Sequence, residues 1–322
     1  LSYIKPHWPY IVPAPYADMY GANQVLPANK HPGERDDPHP VYGAYMQNQI
    51  AKSFSREEVR QKVIPAYMGL IKQCDDQMGR LFKYLEDTGR MNDTMIVVTS
   101  DHGDYLGDHW LGEKDLFHEC SVKVPLIVYD PSPEADAARG SVCDELVESI
   151  DLAATFVEAM GAGVPEHILE GRSLRPFLHG QPPETWREFV ISEYDYSTSP
   201  AALSLELEPY QCRLFMVADK RWKFMHAEGG FRPMLFDMEN DPGELHDLGA
   251  SKAHDDIIDL MYHRLGLWAR RMSQRTAISD DEIKSMRGKA LRKGIFLGLY
   301  DGSEISADYL EPVKGKAGIS YL

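Results

Sequence analysis

The apolar run Met95-Ile96-Val97-Val98 breaks off into Thr99-Ser100-Asp101-His102-Gly103-Asp104, and this junction constrains the chain more than any other stretch. Four consecutive apolar residues of β-favouring type read as a buried strand. A carboxylate, an imidazole and a glycine then follow at its carboxyl end. In open α/β sheets, ligands bind beyond the carboxyl ends of the strands. A carboxylate oxygen beside an imidazole nitrogen suits a divalent metal. On these residues alone, a loop in which Asp101 caps and His102 is solvated is the alternative.

The surrounding pattern is alternating. Ser55-Arg56-Glu57-Glu58 has the form of a capping box. Val59, Val63, Tyr67, Leu70, Ile71, Cys74, Met78, Leu81, Phe82 and Leu85 then recur at helical spacing, with Gly89 as the stop. Pro65 should kink or restart that helix. Strands are expected over 94–100 and 124–129. This order of helix, strand, loop, strand and helix predicts an α/β fold with a mostly parallel sheet sandwiched by helices. From about 186 the pattern changes to short strands at 188–196, 214–218 and 222–226, with Asp219-Lys220-Arg221 as a hairpin turn. A smaller C-terminal antiparallel sheet, a helix near 251–272 and a second capping box at Ser279-Asp280-Asp281-Glu282 should follow. The expected division is 1–185 for the α/β part, 186–293 for the small-sheet part and 294–322 for a tail. The tail's run Ile295-Phe296-Leu297-Gly298-Leu299-Tyr300 is apolar enough to suggest subunit contact in a homo-oligomer. Residues 11–54, rich in Pro, Asn, Gly and His, read as a long lid or binding loop.

Charge narrows the partners. With 34 Lys and Arg against 50 Asp and Glu, the net charge of −16 argues against nucleic acid or anionic lipid. No apolar run approaches the ~20 residues of a membrane span. The four cysteines show no Cys-x-x-Cys spacing, which points to a reduced, cytoplasmic setting rather than a disulfide scaffold or zinc site.

Taken together, Ser100-Asp101-His102-Gly103, Leu106-Gly107-Asp108-His109, Lys114 and Val124-Pro125-Leu126-Ile127 resemble the sulfatase signature within the alkaline phosphatase superfamily. Lys5-Pro6-His7-Trp8-Pro9 is similar to that family's Pro-His-x-Pro segment. Glu170-Gly171-Arg172-Ser173-Leu174 resembles its Asp-Gly-Arg-Ser-Leu turn, and Lys220–Phe224 with Leu235–Glu244 its closing hairpin. Ser192–Tyr196 and the tail after Lys293 resemble the phosphonate monoester hydrolase branch.

The resemblance implies a metal-dependent hydrolase of phosphonate monoesters, phosphodiesters or sulfate esters. Asp101 and His102 would be ligands of one divalent ion (Ca, Mn or Mg). Lys114 would hold the transferred group and His7 would contact the substrate and protonate the leaving group. His109, at the family's Glu/Asp-His, would orient the metal loop or act directly, and Asp104 would support that loop or be solvated. None of the cysteines stands in the family's nucleophile motif, Cys/Ser-x-Pro/Ala-x-Arg, and its early Asp-Asp pair is missing. The chain therefore reads as the C-terminal part of a protein whose upstream part carries a formylglycine nucleophile. An aryl or alkyl sulfatase is the alternative within the class; a non-catalytic binding or assembly module on the same fold is the alternative outside it. Packing is the expected fate of His118 and Glu119. His31, His39 and Asp36-Asp37 read as a solvated lid, and Tyr10, Tyr16 and Tyr20 as candidate pocket walls.

Overall fold

In the computed structural model, which describes residues 1–164, 169–270 and 284–287, the first 94 residues are helical or irregular. Helices α1 (Pro40–Met46), α2 (Gln49–Phe54) and α3 (Glu57–Asp87) follow one another closely. Strands β1 (Ile96–Thr99) and β2 (Leu126–Tyr129) come next, with the short α4 (Glu119–Val122) between them. After α5 (Asp151–Ala159) and α6 (Arg175–Leu178), β3 (Val190–Asp195) opens the second sheet. The short α7 (Pro200–Ser204), then β4 (Arg213–Ala218), β5 (Trp222–Ala227), β6 (Met234–Asp237) and α8 (Asp255–Ala269) complete the described elements.

The second sheet is an antiparallel meander in the order β3-β4-β5-β6. Its alternation sorts two cores, as a two-residue side-chain period requires. Leu214, Met216, Met225, Met234 and Phe236 face α1 and the loop after β1, against Val41, Tyr42, Tyr45, Tyr105 and Phe117. Phe215, Val217, Phe224 and Leu235 face α8 through Met261 and Leu265. A third cluster joins Tyr10 and Phe54 to Val59, Val63 and Leu70 of α3. The sheet is thus filled on both faces, and one of those faces supports the loop that carries Asp101, His102 and Lys114.

Several expectations need correction. β1 and β2 pair antiparallel, Ile96 opposite Tyr129 and Thr99 opposite Leu126, where a parallel arrangement was expected. The cause is local: Gly103 N donates to Ser121 O at 2.7 Å, pinning the loop's two stems at the same end of the sheet, so the chain must return in the opposite direction. Ile127 of β2 is 65% exposed, so this sheet is not sandwiched on both faces by described residues. α3 is one helix through Pro65; the carbonyl deprived of its donor belongs to Gln61, an exposed residue that water can serve. The capping box does not form. Arg56 is the N-cap of α3 without a side-chain bond, and Ser55 instead ends α2, its hydroxyl donating to Ala51 O. Residues 11–54 are not one lid, because α1 and α2 bury Val41, Tyr42, Tyr45, Met46, Ala51 and Phe54. His39 is not solvated. It caps α1, is 3% exposed, and bonds through Nε2 to Arg232 O at 2.9 Å. Burial pushes its pKa down to about 4, so it is neutral near neutrality. The capping box expected at 279–282 and the tail 294–322 lie outside the described residues. Among the described residues, no helix is long and apolar enough to cross a membrane.

Candidate active site

β1 delivers the chain to Thr99, and the next five residues curl back on themselves. Ser100 Oγ donates to His102 O at 2.7 Å. The His102 ring bonds through Nδ1 to Gly103 O at 2.7 Å, and a carbonyl can only accept, so Nδ1 carries the proton. Nε2 therefore presents its lone pair. Lys114 Nζ donates to it at 2.9 Å, and Asp101 Oδ2 lies 3.5 Å away. The Asp101 side chain is 86% exposed. On the other side, the His7 ring lies edge-on to His102 with centroids 5.9 Å apart, and its Nδ1 bonds to Trp8 O at 2.9 Å. His7, Asp101, His102 and Lys114, drawn from segments up to 107 positions apart, thus meet at one strand end.

The loop from 100 to 125 holds this arrangement with unusual backbone. Leu106, His109, Trp110, Glu113 and Asp115 all have positive φ, from 46° to 95°, although none is glycine. Lys114 is bracketed by two of them, Glu113 at 59° and Asp115 at 95°. Such residues persist only where their surroundings fix them. Here Tyr105 N donates to Glu113 O at 2.7 Å and His109 N to Asn29 O at 2.8 Å, while Arg60 Nε donates to Leu106 O at 3.0 Å. Behind the loop, the His109 and His118 rings stack at 3.7 Å, nearly parallel, and both are almost fully buried. His109 Nδ1 bonds to Glu34 Oε1 at 2.7 Å, and His118 Nδ1 to the Tyr105 hydroxyl at 3.1 Å. Burial, then the charges of His109 and Lys223, push the His118 pKa well down. Glu119, next in sequence, accepts from buried Lys223 of β5 at 2.5 Å, and Glu244 Oε1 lies 2.8 Å from the same ammonium. This ion cluster ties the loop's exit to the four-stranded sheet. The sequence marked Lys223 only as part of a hairpin; its lone charge between Trp222 and Phe224 was the available signal.

Asp104 faces inward, accepting from the Tyr10 hydroxyl at 2.8 Å and from Leu106 N at 3.1 Å. Burial pushes its carboxyl above the usual range, against the pull of those two bonds. Tyr10 is 1% exposed and so is no pocket wall. Tyr16 is committed to Asp76, its hydroxyl donating at 2.9 Å.

Gly103 admits no side chain. A Cβ there would lie 2.0 Å from Cys120 O, a backbone atom that cannot swing away. Gly103→Ala should therefore break the stem contact and cost about 3 kcal/mol, the upper end for overpacking, read as a lower urea midpoint. An unchanged midpoint would show that the stems part freely.

Asp101 and His102 offer a charged oxygen and a neutral imidazole nitrogen, the donor types that one side of a hard-to-borderline divalent cation takes. Among the described residues, no group of three or more His, Cys, Asp and Glu side chains is placed to hold a metal. Two donors are thus a fitting but partial set. Neither of two open grooves, about 560 Å³ beside Trp186 and Trp222 and about 390 Å³ beside His39 and Glu244, is lined by the four site residues.

The family model for sulfatases matches residues 1–162. The chain belongs to the sulfatase family. A second model, for the C-terminal part of N-sulphoglucosamine sulphohydrolase, matches residues 107–271. A multifunctional alkaline phosphatase superfamily protein from Trinickia caryophylli is 32% identical over 293 residues, covering 86% of this chain and 56% of that protein. An arylsulfatase from Clostridium perfringens is 27% identical, covering 81% of the chain and 51% of the relative. Among solved structures, a phosphonate monoester hydrolase from Silicibacter pomeroyi superposes with a TM-score of 0.76 at 32% identity, over 84% of this chain and 56% of that one. The alkaline phosphatase-like α/β fold class expected from the sequence is therefore the one observed, with the strand pairing corrected above. The chain spans about half the length of these relatives.

Proposed function

We propose that the protein containing this chain hydrolyses anionic esters, with phosphonate monoesters and phosphodiesters ahead of sulfate esters. The observation that carries this reading is the convergence of Lys114 and His102 at 2.9 Å, with Asp101 and His7 beside them, at the carboxyl end of β1. An ester of this kind bears oxygens whose charge rises during transfer, so fixed cations aimed at them lower the barrier.

In this reading Lys114 binds those oxygens, on a backbone held by bonds such as that from Tyr105 N to Glu113 O. Asp101 and His102 hold one side of a divalent cation, which supplies further neutralisation of the same oxygens. The remaining ligands and the nucleophile, a formylglycine, belong to residues outside this chain. His7 donates a proton to the departing oxygen, the general-acid role that an imidazole most often fills. His109, buried on Glu34 and His118, keeps the loop in shape.

The ranking of substrates rests on two relatives, the Silicibacter phosphonate monoester hydrolase and the Trinickia multifunctional protein, each 32% identical. The arylsulfatase at 27% identity supports sulfate esters as the second reading. A panel of one phosphonate monoester, one phosphodiester and one aryl sulfate, assayed on the intact protein, separates them. The expected order in kcat/KM is phosphonate monoester and phosphodiester above sulfate; sulfate turned over tenfold faster than either would reverse it. No turnover of any of the three would favour a non-catalytic module.

A further inference from the structure

We propose that Tyr10 and Asp104 are positioning residues that set the His7 ring against the His102–Lys114 pair. The inference rests on the reading of His7 as the proton donor to the leaving group, and it adds what puts His7 within reach.

His7 belongs to a segment with no regular secondary structure, residues 1–15, far in sequence from the strand-end loop. Its own polar contact, Nδ1 to Trp8 O, is to its neighbour and fixes nothing relative to the site. The distance between the His7 and His102 rings must therefore be set by contacts nearby. Tyr10 follows His7 by three residues, and Asp104 follows His102 by two. The 2.8 Å bond from the Tyr10 hydroxyl to Asp104 Oδ2 joins the two segments directly. Each end is anchored in turn. The Tyr10 ring packs edge-on against Phe54 and Tyr67, at 6.1 and 6.2 Å, within the cluster on α3. The other carboxylate oxygen of Asp104 accepts from Leu106 N, locking the carboxyl's orientation within its own loop. A second anchor, Cys74 Sγ to Lys5 O at 3.3 Å, ties the start of the segment to α3 but not to the loop. Trp8 and Leu106 both pack against that same cluster, so removing the Tyr10 hydroxyl keeps the segment and the loop near one another but loosens the spacing between His7 and His102.

A displaced proton donor harms esters with poor leaving groups more than esters whose leaving group departs unaided. The test compares 4-nitrophenyl and phenyl monoesters of methylphosphonic acid on the intact protein, in the wild type, His7→Ala, Tyr10→Phe, Asp104→Ala and the His7→Ala/Tyr10→Phe double variant. His7→Ala should lower kcat/KM for the phenyl ester by about 10²-fold or more and for the nitrophenyl ester much less. Tyr10→Phe should show the same selectivity at about 10-fold, since small misplacements of a reacting group are costly. In the His7→Ala background, Tyr10→Phe should change neither ester by more than about twofold, because residues acting through one group are not additive. A purely structural role for Tyr10 would instead slow both esters equally and in both backgrounds; that result overturns the inference and leaves His7 untouched. If His7→Ala itself shows no selectivity, the reading of His7 falls and this inference with it. Should Tyr10→Phe fail to fold, Asp104→Ala gives the same comparison, because it leaves the Tyr10 hydroxyl and Leu106 N without the carboxylate that joins them. Selectivity in that variant supports the inference, and uniform loss overturns it.

Discussion

Asp101→Asn in the intact protein is expected to lower bound metal and remove most turnover while leaving the fold as stable as before. The Asp101 side chain is 86% exposed, and its hydrogen bonds run to its own loop, among them Ser100 Oγ at 3.4 Å. Exposed substitutions typically stay within about 0.5 kcal/mol of neutral. The electrostatic change is larger. A charged ligand oxygen becomes a neutral one beside an imidazole that brings no charge of its own, so the described half of the donor set loses its only negative charge. Metal-borne neutralisation of a transferring group is worth several kcal/mol; at about 1.4 kcal/mol per tenfold, a loss near 4 kcal/mol is about 10³ in rate. Elemental analysis of the purified variant, beside its kcat/KM and thermal midpoint, checks all three parts. Wild-type metal content with wild-type activity would remove Asp101 from the site.

Local order was legible in this sequence where one physical signal dominated. The apolar run before Thr99 and the periodic residues from Val59 to Leu85 became β1 and α3, and Gly89 takes the left-handed turn (φ 72°) that a helix stop requires. The hairpin at Asp219-Lys220-Arg221 formed because Asp219 Oδ1 accepts from the backbone N–H groups of Arg221 and Trp222. Strand direction was not legible, since it depends on a contact between Gly103 and Ser121 that neither residue type announces. α1 was missed because Pro and His were weighed as loop formers. Yet His39-Pro40 is a helix start, with a side-chain cap and proline at the first position, and Val41, Tyr42, Tyr45 and Met46 follow at helical spacing. Asp101 and His102 stood out by their place after an apolar run, whereas Lys114, His7 and His109 came from the family resemblance rather than from any local pattern. The groups that support them, Tyr10, Glu34, Asn29 and Arg60, lie 46 to 94 positions from their partners in that loop, beyond the reach of any local pattern.

Lys114→Ala should separate rate from metal content. The lysine is half-buried, and the backbone beside it is held by main-chain bonds such as Tyr105 N to Glu113 O rather than by its ammonium. Truncation therefore leaves the loop intact and deletes one donor from a preorganised site, a change that typically costs about 10²–10³ in rate. In the structure its ammonium donates to His102 Nε2, the same lone pair a cation would take. Removing the ammonium removes a competitor, so metal content should stay at or above the wild-type level. That outcome is the reverse of the one expected for Asp101→Asn, although the two residues are neighbours around one imidazole. Lys114→Arg offers a further comparison: it restores the charge, but a planar fork cannot reproduce the position of a compact ammonium, and only part of the rate should return. A Lys114→Ala variant with unaltered kcat/KM would take the lysine out of the reaction, and one that loses its metal would make it a part of the loop's scaffold.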